Sequence, residues 1–481
     1  MSMSLRALLD DSSVPDVVAA DLKLDSREVT PGDVFIALRG SQQDGRDFIA
    51  DALASGAVAV LSESDEQGGQ SDACVVPVSN LRARLGALAN RFYESPSSEL
   101  TVIAVTGTNG KTSVVDLTAQ IVRHAGKKTA SIGTLGMRLD QQPHEARNTT
   151  PDCLSLHRQL RQWREQGVEC VTLEASSHAL DQGRLDGLKV DVGVFTNLSR
   201  DHLDYHNSMS AYCAAKLRLF RDLAPEVRIY NADDEAVAEH SDVWQASGVG
   251  LSSELDSAAV QFEIVQSTPL HLQVRTPWGD GYLRTSLSGQ FNAFNVMAAL
   301  SAAISTGISF SAALEAAEAA QPVLGRLQVV GTGADIRVVV DYAHTPDALQ
   351  RALVALKAAE NPGSIWVLFG CGGDRDKGKR AEMGAIACRF ADRVIVTSDN
   401  PRSEAPDAII QDILSGCEGA SPMVEEDRAS AIALAVSEAS PGDTVLIAGK
   451  GHETYQEVDG VRLPFSDADC AKEQLQCRRA A

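Results

Sequence analysis

Residues 106–113 read Thr-Gly-Thr-Asn-Gly-Lys-Thr-Ser, between the apolar run Val102–Val105 and a helix-like stretch, Val114–Arg123. Strand, glycine loop and helix is the layout that cradles nucleotide phosphate. Gly107 and Gly110 let backbone N–H groups approach phosphate oxygens. The helix N-terminus adds partial positive charge behind Thr108, Asn109 and Ser113. Lys111 can reach the terminal phosphates, and the Thr112 hydroxyl can hold Mg2+. The common loop carries a glycine six residues before its lysine; here that position is Val105, so the loop is a shorter variant that points to a subset of ATP users.

Other stretches carry chemistry less specifically. Leu173-Glu-Ala-Ser-Ser-His178 ends a strand-like run, and Glu174 there can hold Mg2+ alongside Thr112; an exposed strand-end glutamate is the plainer reading. Thr196-Asn-Leu-Ser-Arg-Asp-His-Leu-Asp-Tyr-His206 is rich in ligand-type side chains, yet by itself it reads as a generic polar loop. Lys216 lies on a helical stretch and by pattern is a solvated lysine. Asn148-Thr-Thr-Pro151 offers polar donors, or a capping turn for a helix starting near Asp152. Gly289-Gln-Phe-Asn-Ala-Phe-Asn295 opens an Ala-rich helix, Val296–Ile304. Asn292 suits its N-cap, and Asn295 is free to face a nucleotide base.

These residues need a scaffold. Short strands near 33–38 and 57–61 and helices near 48–55 and 81–92 form a first block, closed by a polar linker at 93–100. Apolar runs at 170–173, 190–195 and 227–230 alternate with helices, which implies a parallel sheet. An antiparallel excursion covers 260–287. From near Gly325, runs at 338–341, 365–369, 394–397 and 445–448 suggest a second doubly wound unit. Its polar loops at 370–380, 398–402 and 449–453 follow the carboxyl ends of strands, where such sheets present ligand groups. The expected fold class is α/β in three domains. A small N-terminal α/β domain spans 1–96, a central P-loop-type parallel-sheet domain 97–323, and a Rossmann-like domain 324–481.

Composition narrows the function. The chain has 481 residues, 44% apolar and only 5% aromatic, and 43 Lys+Arg against 65 Asp+Glu give a net charge of −22. Such a surface repels nucleic acid and anionic membranes. Nine scattered cysteines form no C-x-x-C pair, which suits a reducing, cytoplasmic setting. No secretion signal or membrane-spanning run is read. No extended heptad suggests an obligate assembly, so a monomer is expected.

The ordered set GTNGKT, Glu-Ala-Ser-Ser-His, Asp-His-Leu-Asp, Ala-Ala-Lys and Gln-Phe-Asn-Ala-Phe-Asn resembles the Mur ligases of bacterial cell-wall synthesis over nearly the whole chain. Asp399-Asn-Pro-Arg402 is similar to the turn of family members that add meso-diaminopimelate. Leu24-Asp-Ser-Arg27 and Gln43-Asp-Gly-Arg46 resemble their UDP-binding domain. The resemblance implies an ATP-dependent acid–amino-acid ligase that forms ADP and phosphate. Its substrates would be ATP, UDP-N-acetylmuramoyl-L-alanyl-D-glutamate and meso-diaminopimelate; a lysine-adding or folylpolyglutamate-synthase-like ligase is the alternative.

The implied roles go residue by residue. Gly107 to Ser113 would bind ATP phosphates, with Asn295, Arg326 and Asp341 on the rest of the nucleotide. Thr112 and Glu174 would hold one Mg2+, and His202 and a carbamylated Lys216 a second. Leu24, Ser26, Ser41, Gln42 and Gln43 would contact the UDP-sugar, and Asn148, Thr149, Thr150, Ser176, Gln182 and Arg184 the peptide arm. Arg375, Asp399, Asn400, Pro401, Arg402, Gly449 and Glu453 would receive diaminopimelate. Arg402 could grip a carboxylate with two parallel hydrogen bonds.

Overall fold

The structure is a computed structural model that describes residues 2–40, 43–64, 74–140, 142–144, 149–245, 247–331, 335–358 and 363–480. It divides into two compact units. Both are α/β, as the alternating apolar runs require.

The first unit comprises Met1–Ala104, Lys127–Asp191 and Arg218–Glu226. Four parallel strands stand in the order Leu22–Lys23, Val34–Ala37, Ala59–Ser64, Val75–Ser79. Parallel strands covered on both faces read as continuous apolar runs, and all four residues of Val34–Ala37 are buried. The helix Leu81–Phe92 has the bounds its sequence suggested. Leu81, Leu85, Leu88, Ala89 and Phe92 recur at helical spacing and pack on this sheet. The same unit holds Cys170–Glu174, parallel to Thr129–Gly133.

The second unit comprises Val105–Gly126, Val192–Leu217 and Val227–Ala481. Val192–Phe195, Val227–Asn231, Gly248–Ser252 and Val260–Ser267 pair in parallel. Leu270–Thr276 and Gly279–Arg284 then continue antiparallel, the meander expected over 260–287. The helix Lys111–His124 packs along Phe291–Ile304, which is apolar all round and almost wholly buried. Two helix starts differ from the sequence reading. The phosphate-loop helix begins at Lys111, because Gly110 at φ 88° turns the chain directly into it. Phe291–Ile304 begins before Asn292, so Asn292 is not the cap. Its side chain instead donates back to Ser288 O at 2.8 Å.

A six-stranded sheet completes this unit, in the order Gln328–Val330, Arg337–Asp341, Thr444–Ala448, Ile365–Phe369, Arg393–Val396, Met423–Val424. Only the first pair is antiparallel. Asp341, Ala448, Phe369 and Val396 therefore end four adjacent parallel strands on one edge. That register is why loops far apart in sequence meet there.

Candidate functional site

The phosphate loop is built by what its glycines permit. A Cβ on Gly110 would lie 2.6 Å from Asn295 Oδ1, in a left-handed conformation that already favours glycine. The loop is braced from the end of Val192–Phe195. Thr196 Oγ1 and Asn197 Nδ2 both donate to Asn109 O, at 2.5 and 3.0 Å, and Asn109 N donates to Asn197 Oδ1 at 2.9 Å. Thr196 and Asn197 were not singled out from the sequence, where they sit in an undifferentiated polar run. Lys111 Nζ arches over the loop to Gly107 O at 2.9 Å and Thr108 O at 2.7 Å.

Arg326 reaches this loop, and Asp341 bonds the backbone next to it. Arg326 Nη2 donates to Thr112 Oγ1 at 2.9 Å, and its guanidinium lies 4.6 Å over the Tyr342 ring. Asp341 Oδ2 accepts from Leu327 N at 2.6 Å, and burial raises its carboxyl above the usual range despite Arg326. A cavity of about 260 Å³ opens beside them, lined by Ser113, Leu117, Asn292, Pro322, Val323 and Arg326. Asn295 is less available than its pattern suggested. It is buried, and its Nδ2 donates to Asn292 Oδ1 at 3.0 Å.

Lys216 overturns its pattern reading. It is 1% exposed, not solvated. In Met209–Arg221 the buried positions are Tyr212, Cys213, Ala215, Lys216, Leu217, Leu219 and Phe220, a broad apolar stripe. A lysine inside that stripe was the signal available in sequence. Its Nζ donates to Gly107 O at 2.7 Å and lies 4.2 Å above the Tyr212 ring. Burial, and then the neighbouring Lys111 cation, push its ammonium well below the ordinary lysine value. His202 is close by: its ring lies 6.2 Å from that of Tyr212, whose hydroxyl reaches Thr108 Oγ1 at 3.3 Å. His202 Nε2 is 3.4 Å from Asp201 Oδ2.

In the first unit, Glu174 is not an exposed strand end. It is 1% exposed and accepts from Thr134 N at 2.7 Å and Thr134 Oγ1 at 3.0 Å. Thr150 Oγ1 donates to Glu174 O at 2.7 Å. Arg184 joins Thr150 O, at 2.8 Å, to Gln182 Oε1, at 2.7 Å. Ser176 caps the short helix Ser177–Asp181 and lies 3.5 Å from the Thr150 hydroxyl. Glu174, Thr150, Ser176, Gln182 and Arg184 thus form one network, with Thr149 adjoining in sequence. The cap of Cys153–Glu165 is Asp152 itself. Ser41, Gln42 and Asn148 lie outside the described residues.

Leu24, Ser26 and Gln43 line a separate cavity of about 900 Å³ in the same unit. Arg158 lies on its wall and was missed in the sequence, where it looks like an ordinary helix arginine. It sits 3.1 Å from Asp21 and donates to Leu22 O at 2.8 Å. Tyr93 OH closes the group on Asp21 at 2.6 Å.

At the sheet edge of the second unit, the three polar loops interlock. Asn400 Nδ2 donates to Glu453 Oε2 at 2.9 Å. A Cβ on Gly449, at φ 113°, would come within 2.5 Å of Asp399 Oδ2. Arg402, following Pro401, donates through Nη1 to Gly373 O at 2.6 Å, and its Nε is 3.8 Å from Glu457. Arg375 stays apart: it is exposed, and among the described residues its side chain donates a hydrogen bond to Asp374 O alone, at 3.0 Å. Two framing arginines were not foreseen. Arg380 grips Glu404 with both terminal nitrogens, at 3.1 and 2.9 Å. Arg428 is buried against Asp467 at 2.7 and 2.8 Å and also donates to Ser398 O and Ala448 O, tying two of the loops together.

A phosphate loop with a second, ligand-type sheet edge is the arrangement of a nucleotide-using enzyme with its own acceptor site. Three family models match in order: Mur ligase family, catalytic domain, at residues 20–93; Mur ligase middle domain at 105–303; and Mur ligase, glutamate ligase domain, at 325–451. UDP-N-acetylmuramoyl-L-alanyl-D-glutamate–2,6-diaminopimelate ligase of Pseudomonas aeruginosa is 46% identical, over 99% of this chain and 98% of its own. The protein of that name from Chromobacterium violaceum is 46% identical over 94% of each chain. A solved structure of an enzyme of that name is 36% identical, covers 100% of both chains and superposes with a TM-score of 0.72. The chain belongs to the Mur ligase family.

Proposed function

We propose that this protein joins the amine of meso-2,6-diaminopimelate to the D-glutamate carboxylate of UDP-N-acetylmuramoyl-L-alanyl-D-glutamate, in the making of a peptidoglycan precursor. One observation carries the choice of amine. Arg402 and Glu453, a cation and an anion, stand on loops from one sheet edge. The far end of diaminopimelate carries a carboxylate and an ammonium to match. Lysine offers the ammonium alone, and nothing for Arg402 to bind.

The chemistry is carboxylate activation. A carboxylate oxygen attacks the γ-phosphorus of ATP, ADP leaves, and the acyl phosphate is then attacked at carbon by the neutral amine, releasing phosphate. Little covalent work falls to the protein; it positions reactants and offsets converging negative charge. Lys111 and Arg326 supply the offsetting positive charge at the loop. Gly107 to Ser113, Asn295 and Asp341 are the proposed nucleotide contacts. Leu24, Ser26, Gln43, Thr149, Thr150, Ser176, Gln182 and Arg184 are those for the UDP-sugar peptide. Arg375, Asp399 to Arg402, Gly449 and Glu453 are those for the amine.

Taken one by one, the donor types suit a hard divalent cation. Thr112 presents a hydroxyl oxygen and Glu174 a carboxylate oriented by Thr134. Lys216, whose charged form burial disfavours, would take up carbon dioxide as a carbamate, which replaces a repelling cation with an oxygen ligand to act with His202. Bound Mg2+ supplies charge neutralisation for phosphoryl transfer. The division of labour proposed is 1–96 for the UDP-sugar, 97–323 for ATP and 324–481 for the amine, in a monomer. Phosphate release measured with meso-diaminopimelate, lysine and glutamate as acceptors tests the assignment. Release with meso-diaminopimelate alone is the expected result, and equal release with lysine would remove it.

A further inference from the structure

Lys450 follows Gly449 at the end of Thr444–Ala448, and its side chain is wholly buried. Lysine is almost never fully buried unless paired. Here Nζ donates to Asn400 Oδ1 at 3.0 Å and Glu453 Oε2 at 3.0 Å, with Asp399 Oδ1 at 3.7 Å. Asn400 Oδ1 also accepts from Glu457 N at 2.9 Å.

These donors decide an orientation. An ammonium and a backbone amide only donate, so the Asn400 side chain must turn its oxygen to them. Its Nδ2 is then aimed at Glu453 Oε2, 2.9 Å away. Glu453 Oε2 thereby receives two donors. Oε1 receives the Tyr342 hydroxyl, at a long 3.5 Å. The carboxylate is held with two donors on Oε2 and, among the described residues, a single long contact on Oε1.

We propose that Lys450 is a positioning residue for the amine substrate. It fixes the flip of Asn400 and rotates Glu453 so that Oε1 is the atom offered to the far ammonium of the incoming diamino acid. This rests on the reading of Asn400 and Glu453 as contacts of that substrate. Lys450 acts through them, from beneath, without touching the amine itself.

Steady-state kinetics on Lys450→Met test this, with meso-diaminopimelate and ATP varied separately. Lys450→Gln carries the test should the first variant not fold. The KM for meso-diaminopimelate should rise about tenfold or more while that for ATP changes by less than about twofold, since an oriented charged contact is lost at one substrate only. In an Asn400→Ala/Glu453→Gln background the same substitution should lower kcat/KM by less than about twofold further, because the groups it orients are gone. Equal rises for both substrates, an unchanged KM in a folded variant, or a full additional loss in that background overturns the inference. A wild-type protein that releases no phosphate with meso-diaminopimelate removes the substrate reading and the inference with it. An active wild type with an indifferent Lys450 removes the inference alone.

Discussion

Arg402→Ala should raise the KM for meso-diaminopimelate by about ten- to a hundredfold, from a hydrogen bond to a charged group worth roughly 1.5–3 kcal/mol at about 1.4 kcal/mol per decade. The structure sets that range. Nη1 is already committed to Gly373 O at 2.6 Å, and Nε faces Glu457 at 3.8 Å. One Nη1 hydrogen is thus committed, while the Nε/Nη2 edge makes no hydrogen bond among the described residues and keeps the two-pronged grip suggested by the sequence. The side chain is also 22% exposed, not buried, which softens the cost of leaving it unpaired.

The substitution should be local. Arg402 sits at φ 53°, and its backbone is clamped by its own N–H donating to Glu457 O at 3.0 Å and by Asp459 N donating to its carbonyl at 2.8 Å. Removing the guanidinium leaves those bonds in place. Phosphate release measured with each substrate varied in turn should show kcat nearly unchanged, because a contact remote from the reacting amine stabilises ground and transition states alike. Activity toward lysine should not fall, so the preference for meso-diaminopimelate should shrink by the same factor. Equal rises in KM for ATP and the amine, or an unchanged preference between the two amines, would refute the reasoning.

Lys216→Ala should abolish most activity, and a short added carboxylate such as formate should restore part of it; full activity in the variant would dispose of the carbamate. Asp467→Ala should destabilise the protein by about 3–5 kcal/mol in urea titration, because it strands a buried guanidinium. The paired change Arg428→Met/Asp467→Leu should cost less, and the opposite ranking would mean the pair is not the source. His344 has its pKa lowered from 6.5 to about 4 by burial and by Lys379. The unfolded chain therefore binds a proton in that window that the folded chain does not. Stability should be full above about pH 6.5 and fall toward pH 4. His344→Gln should flatten that limb, and an unchanged acid profile would show that His344 does not drive it.

Most of the framework was legible because it is local. Leu81–Phe92 and Ile365–Phe369 declare themselves by period and apolar runs, and the observed bounds match. The convergence of the 370–380, 398–402 and 449–453 loops was legible too, since carboxyl ends of parallel strands share an edge. What sequence could not settle was how far each polar side chain is buried. Glu174 reads as a strand-end residue until tertiary packing closes over it, Lys216 betrays itself only by its place in an apolar stripe, and Asn295 looks free until Asn292 takes its amide. Arg158 and Arg428 carry no local pattern at all. Their importance comes from partners 137 and 39 positions away, as 158 is from 21 and 428 from 467.

One regularity ties these late discoveries together. The chain carries a net charge of −22, yet every buried lysine or arginine among the described residues, namely Lys216, Lys379, Arg380, Arg428 and Lys450, lies in the second unit. Each cation is expensive to take out of water and must be repaid by partners. Arg380 and Arg428 are repaid by Glu404 and Asp467 and serve to pin loops. Lys450 is repaid by Glu453 and Asn400 and sets their orientation. Lys216 is left with a carbonyl and an aromatic face, and its burial disfavours the charged form. That difference separates the framework cations from the one poised for modification. It also predicts which substitutions divide stability from activity: loss of Asp467 should weaken the fold, and loss of the Lys216 amine should weaken the reaction.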